Sequence, residues 1–160
     1  MRKVVVNSTP LIILCGIGRL DILKEMYQEI YIPVAVFREV TAKNDLACAQ
    51  LRSAGAWIHI EQIQDYREKK MYKAKLHDGE VEVMILAQEQ EADLVILDDN
   101  AAKKTAKYLG LTVTGTLGVL IKAKQQGIIE TVRPLLTEMR RNGFYVSSMV
   151  EYMVLEQAGE

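Results

Sequence analysis

Four consecutive apolar residues, Leu94-Val95-Ile96-Leu97, stop abruptly at Asp98-Asp99-Asn100. An uninterrupted run of this kind reads as a strand buried on both faces, the form strands take in parallel sheets covered by helices. Two adjacent carboxylates are thereby delivered to the strand's C-terminal end. In an open α/β sheet that edge is where ligands bind. Adjacent carboxylates repel and call for a cation, a basic partner or full solvation, and a hard divalent metal is one solution. Asp-Asp-Asn is equally good chemistry for a turn and a helix N-cap, so the pair alone leaves both readings open.

Further strand-like runs occur at Val4-Val5-Val6, Ile30-Tyr31-Ile32, Trp57 to Ile60 and Thr112-Val113-Thr114, with helical segments between them. Such alternation implies parallel strands joined by right-handed crossovers, hence an α/β, three-layer α/β/α domain around a central, mainly parallel sheet. The chain of 160 residues suits one domain over 1–160, with 131–160 a helical C-terminal extension. Ser8 or Thr9 before Pro10 marks one helix start. Asp78-Gly79 precedes a helix expected from Glu80, and Ser148 with Glu151 has the capping-box spacing.

No apolar run approaches the roughly 20 residues that span a bilayer, and the first is too short for a signal peptide. Cys15 and Cys48 lack metal-type spacing, so buried thiols in the cytoplasm are expected. A net charge of −1 gives no chain-wide basic footprint for nucleic acid. Charge can still be segregated: Lys103, Lys104 and Lys107 follow the acidic pair closely, and Lys69, Lys70, Lys73 and Lys75 form a second cluster. There is no obvious Ser-His-Asp set. His59 sits in a strand and reads as structural; His77 sits in a loop near Glu80.

Parallel strands would bring Asn7, Asp98-Asp99 and Thr114 to Thr116 to one edge, with Glu39 and Glu80 reaching it from adjoining helices. Carboxylates converging on one cleft suit a metal site for phosphoryl chemistry, in which a metal-bound water serves as nucleophile without a protein base. Each position also has a plain structural use: Asn7 and Asp99 as caps, Glu80 at a helix N-terminus, Glu39 in an ion pair.

Five segments taken in order resemble one family: Val4 to Leu11 (VVVNSTPL), Ile32 to Val40 (IPVAVFREV), Leu76 to Glu80 (LHDGE), Leu94 to Asp99 (LVILDD) and Gly115 to Leu120 (GTLGVL). Together they resemble the PIN-domain proteins, the fold of the VapC-type ribonuclease toxins, and more narrowly the DUF3368 branch. The resemblance implies metal-dependent endoribonuclease chemistry with Mg2+ or Mn2+. It implies metal positions at Asn7, Glu39, Glu80 and Asp98, with Asp99 also catalytic and Ser8, Asn100 and Thr116 in support. RNA would be the substrate, Lys103, Lys104 and Lys107 could hold its phosphates, and an antitoxin partner and a homodimer would be usual. Asn7 departs from the pattern, standing where relatives have an acid. That leaves open a nuclease with a weaker metal site, a non-catalytic RNA- or protein-binding relative, or a change that makes a toxic nuclease tolerable to express. A phosphoesterase acting on small molecules is a further alternative.

Overall fold

Val4, Val5 and Val6 are wholly buried and form β1 (Val4–Val6), the middle strand of a five-stranded sheet. The structure, a computed structural model, describes residues 2–72 and 76–160. β2 (Ile30–Pro33), β3 (Ile58–Glu61), β4 (Leu94–Ile96) and β5 (Val113–Thr114) complete the sheet in the order β3-β2-β1-β4-β5, and all four pairings are parallel. The strand order reverses at β1, which makes the crevice beside its C-terminal end the expected ligand position.

Register decides what reaches that crevice. Val6 lies opposite Ile96, and Ile96 opposite Thr114. The ladder runs one step further, with Asn7 N–H donating to the Ile96 carbonyl (2.9 Å) and Leu97 N–H to the Thr114 carbonyl (2.9 Å). Asn7, Asp98 and Gly115 therefore leave the sheet together.

The helices are α1 (Ser8–Gly16), α2 (Asp21–Tyr27), α3 (Val34–Thr41), α4 (Leu46–Ser53), α5 (Tyr66–Tyr72), α6 (Asp78–Glu89), α7 (Asn100–Tyr108), α8 (Thr116–Gln125), α9 (Arg133–Arg141) and α10 (Ser148–Gln157). With the sheet they make a three-layer α/β/α fold. α6 is the most enclosed: every residue from Gly79 to Ala87 is buried, and the helix packs on β1, β2 and α3. Among the described residues no helix is long and apolar enough to cross a membrane.

The C-terminal helices share the main core, through Leu136 and Met139 of α9 and Val154 and Leu155 of α10. Glu160 secures them. Its carboxylate accepts from Val132 N–H (2.6 Å) and Arg133 N–H (3.2 Å), orphan donors at the start of α9, and lies 3.2 Å from Lys124 Nζ on α8. Arg140 joins α9 to α10 through Glu151 at 2.7 Å.

Several helix starts differ from the sequence reading. Ser147, not Ser148, caps α10, its Oγ accepting from Val150 N–H. α6 begins at Asp78, two residues early, because the extended backbone of His77 already serves as N-cap. Asn7 holds the N-cap position of α1 but makes no side-chain cap bond. Lys73 and Lys75 lie outside the described residues.

Candidate functional site

Asn7 stands at the centre of the edge, only 3% exposed. Its Oδ1 is buried with no hydrogen-bond partner. Leaving a polar atom so costs about 1–3 kcal/mol unless something else satisfies it. Glu39 comes from α3 and has no hydrogen-bond or ion-pair partner among the described residues. The two face each other across Gly79. A Cβ there would stand 2.6 Å from Glu39 Oε2 and 3.6 Å from Asn7 Oδ1. Glycine thus keeps open the space between the two oxygens.

Glu80, 6% exposed, follows in the first turn of α6. Its Oε1 accepts from His77 N–H at 3.0 Å, and its carboxyl meets that of Asp99. Burial raises the Glu80 carboxyl above its ordinary range; the His77 N–H works against this, and the Asp99 carboxylate adds to the rise. Asp99 has two engagements, since it also caps α7 by accepting from Ala102 N–H (3.2 Å).

Asp98 points differently. Its Oδ1 accepts from Thr116 N–H (2.8 Å) and its Oδ2 from Thr116 Oγ1 (2.7 Å). Thr116, 1% exposed, starts α8 after the last strand, so this bond pair ties β4 to α8. From sequence, Asp98 takes a metal position and Asp99 a catalytic one, with a helix cap as its plain structural use. In the structure Asp99 carries the contact with Glu80 as well as the cap, while Asp98 is held at the same edge by Thr116. Ser8 is buried beside Asn7, and Asn100 is the exposed first residue of α7. Lys103 is half-buried on α7 near Asp98, whereas Lys104 and Lys107 are exposed.

Two residues were not singled out from sequence. Glu82, 5% exposed, accepts from Ala35 N–H (3.0 Å) and pairs with Lys69 at 2.7 Å. It thereby caps α3 from across the cleft and fixes the helix that carries Glu39. The available signal was a lone charge inside the otherwise apolar stretch Val81 to Ala87. Gly79 is the second, and a helix N-terminus hides its steric role. Glu82, Lys69, Glu39, Arg38 and His77 all line a cleft of about 720 Å3 beside the sheet edge.

His59 is not part of this group. It stacks on Tyr31 with ring centroids 4.8 Å apart, and its Nε2 lies 3.4 Å from Glu29 Oε1.

The donor set is all oxygen, which suits a hard divalent cation. The unpartnered Asn7 oxygen, the unpaired Glu39 and the crowded Glu80–Asp99 pair each gain by accepting one. The carboxylates nevertheless arrive in separate contacts: among the described residues no three of them already converge on a single ion position. The long side chains of Glu39 and Glu80 could bring their carboxylates closer together by rotation.

The family pattern of DUF3368, a PIN domain, matches residues 3–160. The chain belongs to the PIN-domain family. Its fold is also similar to a PilT N-terminus domain protein from the hyperthermophilic archaeon Sulfolobus solfataricus P2. That likeness has a TM-score of 0.53 and 17% identity, and covers 76% of this chain and 92% of the other. Among curated proteins, none matches this chain. The PIN domain is a nuclease fold, and the acidic edge lies at the carboxyl ends of the strands, where open α/β sheets bind ligands.

Proposed function

We propose that this PIN domain is a metal-dependent endoribonuclease of the VapC-like toxin type. The observation that carries the reading is that the buried, unpartnered Asn7 Oδ1 and the Glu39 carboxylate, unpaired among the described residues, both border Gly79. Asn7, Glu39, Glu80 and Asp99 would hold Mg2+ or Mn2+, with Asp98 beside them at the same edge. When bound, the metal supplies a water of lowered pKa and offsets charge developing on the phosphodiester.

The chain's own residues do the positioning. Glu82 and Lys69 hold α3, and so Glu39, against α6. The His77 N–H orients Glu80, and Thr116 fixes Asp98. Burial raises the Glu80 carboxyl above its ordinary range, so protons compete with a metal there more than at an exposed carboxylate. RNA is the substrate in this reading, and an antitoxin partner and a homodimer belong to the same proposal.

A second reading, a non-catalytic RNA- or protein-binding relative, is favoured by the uncharged Asn7. Cleavage of a labelled single-stranded RNA in Mg2+ and Mn2+ separates the two. The nuclease reading expects metal-dependent cleavage, faster in Asn7→Asp and lost in Glu39→Gln. Equal inactivity of all three proteins, with RNA or partner binding intact, supports the binding module instead.

A further inference from the structure

Lys103 is the one lysine of the α7 cluster that turns toward the sheet edge. A Cβ on Gly115 would stand 2.8 Å from Lys103 Nζ, 3.4 Å from its Cε and 2.7 Å from Asp98 Oδ1. The ammonium and the carboxylate thus share one small space, which glycine keeps clear. They do not form an ion pair within 4.0 Å, and the Lys103 ammonium has no hydrogen-bond partner among the described residues. Both Asp98 oxygens are already engaged by Thr116. A half-buried ammonium is therefore held at an acidic edge without being neutralised there.

Charge gives this arrangement a use. Glu39, Glu80, Asp98 and Asp99 bring four formal negative charges to the edge. One divalent ion offsets only half of them, and an approaching phosphodiester is still repelled. A fixed protein cation at this place lowers that repulsion and offers hydrogen-bond donors to a phosphate oxygen.

Resting on the nuclease reading above, we propose that Lys103 is the substrate-binding cation of the site. In this role it contacts a non-bridging phosphate oxygen of RNA on the Asp98 side of the cleft. Asp98, fixed by Thr116, is a positioning residue that keeps the ammonium at the edge. Gly115 is required because any side chain would separate the two.

The test is binding, not turnover. Affinity for a labelled single-stranded RNA is measured by fluorescence anisotropy in calcium, which takes the same oxygen donors, across a salt series. Mn2+ affinity is measured separately by calorimetry. Lys103→Met is expected to weaken RNA binding at least ten-fold. It should also reduce the salt slope by about 0.7, the value for one lost single-strand phosphate contact, without weakening Mn2+ binding. Lys103→Arg should retain most of the affinity. Lys24→Met, an exposed lysine on α2, removes the same charge elsewhere and should change affinity less than two-fold.

Equal RNA affinities for Lys103→Met and Lys24→Met overturn the proposal. So does absence of RNA binding by the unmutated chain, or loss of Mn2+ binding parallel to loss of RNA in Lys103→Met, which would make the lysine structural. Lys103-dependent binding with no cleavage in any metal refutes the nuclease reading alone.

Discussion

Gly79→Ala separates stability from function at this site. Gly79 lies in the first turn of α6, with φ outside the left-handed region that favours glycine. In a helix interior alanine is favoured over glycine by about 0.8–1 kcal/mol, an upper bound for a first-turn position such as this. The new methyl meets Val36 Cγ2 at 3.5 Å, an ordinary contact, so the core does not resist it. It meets Glu39 Oε2 at 2.6 Å, well inside contact, and that oxygen is the far end of a flexible side chain on an exposed residue. Glu39 is expected to rotate away, and the fold to stay intact or gain up to about 1 kcal/mol. For a domain of this size that is a rise in Tm of roughly 2–4 °C. The rotation takes Glu39 from the space it shares with Asn7. We expect Mn2+ affinity by calorimetry to fall at least ten-fold, about 1.4 kcal/mol, while thermal melting of the metal-free protein shows no loss. Unchanged Mn2+ affinity in a folded Gly79→Ala would refute the placement of the metal between Asn7 and Glu39.

Other outcomes follow from the same geometry. Glu80→Gln should raise the Tm of the metal-free protein at neutral pH: a carboxyl whose folded pKa is raised contributes stability below its ordinary pKa and loses it as pH rises through the folded value. The gain should shrink toward about pH 3, below the ordinary carboxyl range, where the wild-type carboxyl is largely protonated in both states; an equal gain at both would remove ionisation as the cause. Glu160 behaves oppositely. Burial pushes its carboxyl up, but the Val132 and Arg133 N–H groups and Lys124 outweigh this, and the net position lies below the ordinary range. Its contribution is present above that range and lost as pH falls through the lowered value, so Glu160→Gln should narrow the stability difference between pH 7 and about pH 3 in chemical denaturation. Glu82→Ala takes the acceptor from Ala35 N–H and leaves Lys69 only its longer contact with Asp78 (3.9 Å), and should cost about 3 kcal/mol in urea melts, the low end for a broken buried pair. A cost under about 1 kcal/mol would show that Glu82 does not hold α3.

The sheet was readable because buried parallel strands have to be apolar on both faces. Val4 to Val6 and Leu94 to Leu97 therefore stand out from the helical segments between them, and their polar successors could be placed at one edge. Helix starts were harder to read. Ser147 and Ser148 both offer a hydroxyl, and only the backbone turn decides which one caps. Asp98 and Asp99 posed the same problem at the site itself: neighbours in sequence diverge sharply as a strand gives way to a helix, and the course of α7 sends one to Thr116 and the other to Glu80. Glu82 was hidden because its partner N–H, on Ala35, lies 47 residues away in the chain. Gly79 and Gly115 carry no side chain to attract notice, and their role appears only once the oxygens they make room for have positions.

Direct calorimetric titration with Mn2+ of this chain beside Asn7→Asp tests the central claim most closely. At an effective dielectric near 20, a unit charge about 4 Å from a divalent ion is worth on the order of 8 kcal/mol before desolvation. Only a fraction survives the cost of bringing a further carboxylate beside Glu39. The account predicts that both proteins bind Mn2+, Asn7→Asp at least ten-fold more tightly. Absence of binding in both, or equal affinities, would contradict it.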